Sequence, residues 1–429
     1  MISDTPRSAF LPLLGRVLHR IVKNGRLTII DWRGGISSFG EGGRGPSATI
    51  RLHSRWMPLR IAMNPALATG EGYMRGDLTI AEGDLRSFLM VVTEQSEQIG
   101  STRVFGLINA ALKWIKWATG GNHRRRAARN VAHHYDLGTE FYRLFLDRDM
   151  HYSCAYFVTG SETLEEAQAA KARHIAAKLC LEPGNRVLDI GSGWGSLALA
   201  LVHGAMLHQA PVHVTGVTLS REQLQAARAK VDQAGLAGAI SFAFQDYRDV
   251  TGVFDRIVSV GMLEHVGFAE FDAYFGKVAE LLDRDGVALI HAIGRSDDRS
   301  GPDAWTQRHI FPGGHIPSLS EVIPAIERSG LIVTDIEILR LHYAETLRHW
   351  SLRFADRRAS AQAMYDEEFC RMWEFYLAAA EMTFRNRPLM VFQIQLAKRK
   401  NSVPLTRDYI ARAENQHETI EPDILEAVA

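Results

Sequence analysis

Two short stretches of the chain carry residue types able to do chemistry. HYSCAYF, residues 151–157, sets Cys154 among Tyr152, Tyr156 and Phe157, and the whole chain has 3 cysteines. A cysteine there can be a nucleophile, a metal ligand or a small buried apolar side chain. VLDIGSGWG, residues 187–195, places Gly191, Gly193 and Gly195 between a strand-like run and a helix-like one. Glycines at such a turn let a ligand come close to the backbone. The dinucleotide pattern GxGxxG is not met, because Ser196 stands where its third glycine belongs. The spacing is GxGxG, with Asp189 just ahead of it. Two more polar residues, Glu264 and His291, sit at or near the ends of apolar runs. Alone, Glu264 reads as a cap or surface carboxylate and His291 as a hydrogen-bonded core histidine.

The elements that must position these residues follow from periodicity. From about residue 180, strand-like and helix-like segments alternate. RVLDI, VHVTGV, ISFAF, DRIVSV, VALIHAI and LIVTDIEIL are six strand candidates, and a helical stretch over 362–385 leads to a seventh, MVFQIQLAKR. The first five are short and mostly apolar, as expected of a sheet covered on both faces. The pattern predicts a doubly wound α/β domain. Glu264 then follows the fourth strand and His291 lies in the fifth, near the C-terminal sheet edge where such folds bind ligands.

Ahead of that domain the pattern is α+β and smaller. Residues 10–23 predict an amphipathic helix, LTIIDW, ATIRLH and PLRIAM predict strands, and 84–98 and 102–118 predict helices. The last of these carries Phe105, Trp114 and Trp117 beside Lys113 and Lys116. That mixture suits a membrane interface or a helix buried between domains. GGNHRRRAARN, residues 120–130, reads as a basic linker. The expected division is a domain over 1–118, a linker over 119–133, a catalytic domain over 134–400, and an acidic, mobile tail over 401–429.

Bulk properties narrow the classes. At 429 residues the chain has room for two or three domains. Scattered cysteines give no disulfide framework and no CxxC, so a reducing, cytoplasmic setting without a metal site is expected. The N-terminal residues lack the features of a signal peptide, and no apolar run is long enough to span a bilayer. The formal net charge of zero conceals an asymmetry. Residues 1–130 hold 19 Lys+Arg against 9 Asp+Glu, and the remainder holds 30 against 40. A basic front end meets nucleic acid or anionic phospholipid, or docks on the acidic half of its own homodimer.

The glycine loop with Asp189 resembles motif I of the class I S-adenosylmethionine-dependent methyltransferases, whose fold is a Rossmann-like, seven-stranded doubly wound sheet. The cofactor has no pyrophosphate for a helix N-terminus to hold, which agrees with the altered spacing. In many such enzymes the second strand ends in an acid that holds the ribose, but here GVTLSREQ offers none before Glu222. That departure fits one family. HYDLGTEFYRLFLD, YSCAYF, VLDIGSGWG, GVTLSREQ, QDYRD, DRIVSVGMLEHVG, IFPGGHIPS and HYAETLRHW, in order from 134 to 350, resemble the cyclopropane-fatty-acyl-phospholipid synthases and the mycolic acid cyclopropane synthases. The first 125 residues more loosely resemble the lipid-associated N-terminal domain of the phospholipid enzymes.

The resemblance implies the reaction. A methylene passes from S-adenosylmethionine to the cis double bond of an unsaturated phospholipid acyl chain, by way of a carbocation that bound bicarbonate deprotonates. It implies that Cys154, Glu264, His291, Tyr343 and the backbone amide of Ile293 hold the bicarbonate. Tyr152, Ser153, Asp189, Gly191, Gly193, Thr218, Gln223, Asp246 and Tyr247 hold the cofactor, Gln223 replacing the missing ribose acid, and Tyr135 helps to cover the site. The aromatic wall of HYSCAYF suits a cation, because ring faces stabilise it without being alkylated. The sequence departs from most relatives at Ser192 and Ala380, where they carry cysteine. The basic N-terminal region, chiefly Arg124, Arg125, Arg126 and Arg129, is expected to bring the enzyme to the anionic inner face of a membrane, with no nucleic acid as partner. The alternative product is a methyl- or methylene-branched acyl chain, which differs in the proton that leaves.

Overall fold

The computed structural model describes residues 14–15, 18–19, 22–40, 43, 45–94, 137–207, 211–297 and 302–418. The helix expected at 102–118, the basic linker, Tyr135 and residues 419–429 lie outside them. Of the helix expected over 10–23, residues 14–15 and 18–19 are helical, with Leu14 and Leu18 buried. The chain divides into two compact units.

The first unit gathers residues 1–119, 300–312 and 347–389. It therefore takes in segments that the linear division assigned to the catalytic domain. Its sheet has the order β2-β1-β3-β4, formed by Arg26–Ile30 (β1), Ile36–Phe39 (β2), Ser47–Leu52 (β3) and Leu78–Glu82 (β4). β1 runs parallel to β3 and antiparallel to β2. Asp31 shapes the β1–β2 turn, where its Oδ1 accepts from the amides of Arg33 and Gly35 at 2.9 and 2.8 Å. PLRIAM, expected as a strand, lies in the helix Met57–Met63, where Pro58 stands in the first turn. Proline's fixed φ and missing N–H suit that position. The helix Leu85–Thr93 starts at Asp84, which caps the Ser87 amide at 2.6 Å. It packs on the long helix Glu367–Asn386. There the nearly buried carboxylate of Glu381 accepts a forked pair from Arg86 at 3.0 and 2.7 Å and a further bond from Arg385 at 2.8 Å.

The second unit holds residues 120–299, 313–346 and 390–429. All seven predicted strands are present: Arg186–Ile190 (β5), His213–Thr218 (β6), Ile240–Phe244 (β7), Phe254–Val260 (β8), Leu282–Arg295 (β9), Ile332–Leu339 (β10) and Leu389–Ala397 (β11). Their order is β10-β11-β9-β8-β5-β6-β7. β5 through β9 are parallel, and β10 is antiparallel to β11. Neighbouring residues of one strand enter different apolar clusters. Val187, Val258 and Leu289 pack in one, and Leu188, Ile257 and Ala288 in the other. Both faces are thus covered, which explains the near-continuous apolar strands. The order reverses at β5, which pairs with β6 on one side and β8 on the other. Such a reversal opens a crevice at the C-terminal strand ends.

The expected mobile tail is partly a helix, Asp408–Glu418. Glu414 in it bonds His174 Nδ1 at 2.6 Å, so the helix is held to the helix Leu164–Leu179. Its one buried apolar residue in the described part, Ile410, gave little sequence signal.

Candidate active site

A cavity opens where β5, β6 and β8 end. The loop after β5 is built by its glycines. Gly191, Gly193 and Gly195 have φ of 85, 53 and 77°, in the left-handed region that glycine enters without strain. The amides of Gly191 and Ser192 donate to Val217 O at 2.9 and 3.1 Å, tying the loop to β6. A Cβ on Gly195 would lie 2.6 Å from the Phe242 ring, whereas one on Gly193 would meet nothing within 4 Å. Gly195 thus allows packing, and Gly193 leaves open space on the cavity side.

All nine expected cofactor residues line this cavity. Asp189 is buried with its Oδ2 unpartnered, and desolvation raises its carboxyl to about 7. Glu222 is taken up elsewhere: its Oε1 accepts from Thr139 Oγ1 at 2.7 Å and from the Thr139 amide. Gln223, buried next to it, faces the cavity and accepts from Thr218 Oγ1 at 3.4 Å. Asp246 is engaged by Arg248, whose Nε and terminal nitrogen reach its two oxygens at 2.8 and 2.6 Å. Its carboxylate is thereby fixed in place.

None of the five expected bicarbonate residues lines that cavity. Glu264 sits in the short turn Leu263–His265 that follows β8, and His291 and Ile293 lie in β9. The Ile293 amide donates to Glu264 Oε1 at 2.6 Å. The sequence reading had this amide donating to the anion; here it orients the carboxylate. Glu264 Oε2 is shut off from solvent without a partner, and desolvation raises the carboxyl to about 7. Cys154 is buried, its Sγ donating to Ala155 O at 3.3 Å, and burial pushes the thiol well above its ordinary range. The Ala155 amide donates to Thr346 Oγ1 at 3.0 Å, which ties the Cys154 segment to the helix His342–Asp356 that carries Tyr343.

The protonation of His291 follows from its neighbours. Lys178 Nζ donates to Gln393 Oε1 at 3.0 Å, so the other end of that amide is the NH2 group. It lies 3.1 Å from His291 Nδ1. An NH2 group only donates, so Nδ1 accepts and the neutral ring carries its proton on Nε2. Burial, reinforced by the charges of Lys171, Lys178 and His174, pushes this histidine down to about 3. His291 is therefore a neutral hydrogen-bond donor.

Sequence reasoning missed several groups. Asp147 Oδ2 bonds His151 Nδ1 at 2.9 Å, and His151 lines the cavity. Lys171, on the helix Leu164–Leu179, donates to Ser153 Oγ at 3.0 Å and is 1 % exposed. Gln168 on the same helix donates to Ser153 O at 3.0 Å. The available signal was a Gln–Lys pair three residues apart on an alanine-rich face that must be buried. Cys370 lies in the first unit, away in sequence from every element of this cavity. Among the described residues no group of side chains could hold a metal ion.

The comparisons with known proteins place the fold in a family. The family model for mycolic acid cyclopropane synthetase matches residues 122–394, and a domain of unknown function matches 16–102. A probable fatty acid methyltransferase of Pseudomonas putida is 39 % identical over 67 % of this chain and 75 % of its own. The cyclopropane-fatty-acyl-phospholipid synthase of Escherichia coli is 34 % identical over 82 % of this chain and 88 % of its own. The crystal structure of a mycolic acid cyclopropane synthase complexed with SAH and CTAB superposes with a TM-score of 0.58 at 34 % identity, covering 63 % of this chain and 97 % of that one. With the glycine loop, the seven-stranded sheet and the family match in agreement, the chain belongs to the cyclopropane synthase family of class I S-adenosylmethionine-dependent methyltransferases.

Proposed function

We propose that the enzyme converts the cis double bond of an unsaturated phospholipid acyl chain into a cyclopropane ring. S-adenosylmethionine supplies the methyl carbon, and bicarbonate would supply the base that takes one of its protons. The observation that carries this reading is a fixed neutral donor on β9, His291, beside the strand β8 whose following turn carries the unpartnered oxygen of Glu264. Glu264 offers an unpartnered acceptor oxygen away from water, and His291 a fixed, neutral donor. That combination matches a small oxyanion bearing a hydroxyl: Glu264 accepts from the hydroxyl, and His291 donates to an oxygen. Tyr343, on the helix tied to the Cys154 segment, would add a phenol donor.

The chain's own groups also suit a cationic intermediate. Attack of the alkene on the methyl leaves positive charge on the acyl chain, and loss of a methyl proton closes the ring. Nearby nucleophiles would trap that charge. Cys154 is held as the neutral thiol, and His291 Nδ1 is engaged by Gln393. Tyr152 sits against Tyr142 at 5.1 Å between ring centroids, part of an aromatic cluster that does not react.

The phospholipid assignment is supported by a relative named for a phospholipid substrate, which covers 82 % of this chain. No helix of the described residues is long and apolar enough to cross a membrane. We place the enzyme on the cytoplasmic membrane surface, held by its basic N-terminal region. Each cation at such a surface contributes on the order of 1 kcal/mol. Binding to anionic vesicles should weaken as salt rises; salt-independent binding would contradict it. A branched product remains the second reading, because a relative at 39 % identity is named a probable fatty acid methyltransferase. Incubation with vesicles of unsaturated phospholipid should add one CH2 to acyl chains, and vesicles of saturated phospholipid should stay unmodified. Absence of any modified lipid with the unsaturated vesicles would overturn the proposal.

A further inference from the structure

We infer that Lys171 holds the carboxylate of the amino-acid end of S-adenosylmethionine, acting with Ser153 and opposite Asp189. The inference rests on the cavity being the cofactor site. Lys171 is 1 % exposed, and among the described residues its ammonium makes no ion pair. Its bond is to a neutral hydroxyl, Ser153 Oγ at 3.0 Å. Asp147 is near enough to favour its charge but forms no ion pair with it, and a buried ammonium only partly compensated is costly unless a further anion joins it. Burial lowers its pKa to about 8, which leaves it mainly charged at neutral pH.

The surroundings specify which anion. Lys171 and Ser153 line the same cavity as Asp189, Gly191 and Gly193. The other arginine or lysine of that lining, Arg248, is engaged on both oxygens of Asp246. Lys171 is thus the lining cation still open to a carboxylate. Asp189 Oδ2 is the matching unpartnered acceptor. One cation without an ion pair and one carboxyl oxygen without a partner complement a zwitterion, and the amino-acid end of the cofactor is a zwitterion. Bicarbonate is the rival anion. However, although the charge of Lys171 reaches Cys154 and His291, its ammonium bonds Ser153, which lines this cavity, whereas Cys154, Glu264, His291, Ile293 and Tyr343 do not line it.

Gln168 gives the arrangement its rigidity. Its Nε2 donates to Ser153 O at 3.0 Å from the helix that carries Lys171. Ser153 is thereby fixed relative to the ammonium from both its backbone and its side chain.

The test is binding, measured by calorimetry on the full chain. Two ligands are compared: S-adenosylhomocysteine, and 5′-methylthioadenosine, which lacks the amino-acid carboxylate and ammonium. Lys171→Met should weaken S-adenosylhomocysteine by about 30-fold or more, the range of a desolvated charge pair. Methylthioadenosine affinity should stay within about threefold, because it makes no use of the charge. Lys171→Gln, which keeps a donor for Ser153, should behave as Lys171→Met does and guards against misfolding of one variant. Unchanged S-adenosylhomocysteine affinity, or a parallel loss for both ligands, would overturn the assignment. Failure of the unmodified enzyme to bind either ligand would instead overturn the cofactor site, and the inference with it.

Discussion

Gln393 donates through Nε2 to His291 Nδ1 at 3.1 Å, and this bond decides which imidazole nitrogen carries the proton. Lys178 fixes the direction of the amide by donating to its oxygen, and Glu337 in turn accepts from Lys178. A run of donors from β10 to β9 therefore sets the donor that the proposed reaction uses.

Gln393→Glu should reverse that direction. A carboxylate accepts from Nδ1–H and leaves Nε2 without its proton. Turnover should fall by about 10- to 100-fold or more, as wrong-tautomer variants do. Affinity for S-adenosylhomocysteine should not change, because Gln393 does not line the cofactor cavity. Nitrogen NMR of His291 should report the proton moving from Nε2 to Nδ1. Unchanged tautomer and unchanged turnover would show that Gln393 only fills space.

Glu264→Gln should trade activity for stability at high pH. The Glu264 carboxyl is raised to about 7 by desolvation, so the fold favours its protonated form. That contribution is fully present below the unfolded carboxyl value, near 4.5, and is lost as pH rises through about 7. At pH 8 the variant should be more stable by on the order of 1–3 kcal/mol, and the gap should close below about pH 4.5. Thermal unfolding across that range checks it, and a gap that widens toward acid would contradict it. The same variant should lose ring formation, because the amide cannot accept in the same way.

Cys154→Ser should retain activity within about tenfold, since a weak neutral donor is replaced by a stronger one. The buried thiol at 1 % exposure, with its ionisation suppressed, is poorly suited to act as a nucleophile. Complete loss of turnover in a folded variant would restore that role.

The parts of the fold written in local periodicity were legible in the sequence. All seven strands of the large sheet were, because a sheet buried on both faces requires apolar runs. The residues that line the cavity after β5 were legible because a glycine loop and its flanking motifs are contiguous. The roles of Gln393, Lys178 and Lys171 were not. Each depends on which side chain meets which across elements far apart in sequence, as with Gln393 and His291. PLRIAM misled because six residues with alternating character fit a short helix as well as a strand, and Pro58 was the deciding cue. The unit boundary was invisible for a similar reason. Glu381 meets Arg86 across nearly 300 residues, and nothing local announces that contact.

The central claim is that one proton leaves the transferred methyl as the ring closes. The most direct measurement supplies S-adenosylmethionine with a fully deuterated methyl group and follows unsaturated phospholipid by mass spectrometry and deuterium NMR. The account predicts acyl chains that gain one carbon, keep two of its three deuterons and show no vinyl signal, because the carbon lies in a cyclopropane ring. Retention of all three deuterons, or two deuterons on an exocyclic methylene, would contradict it.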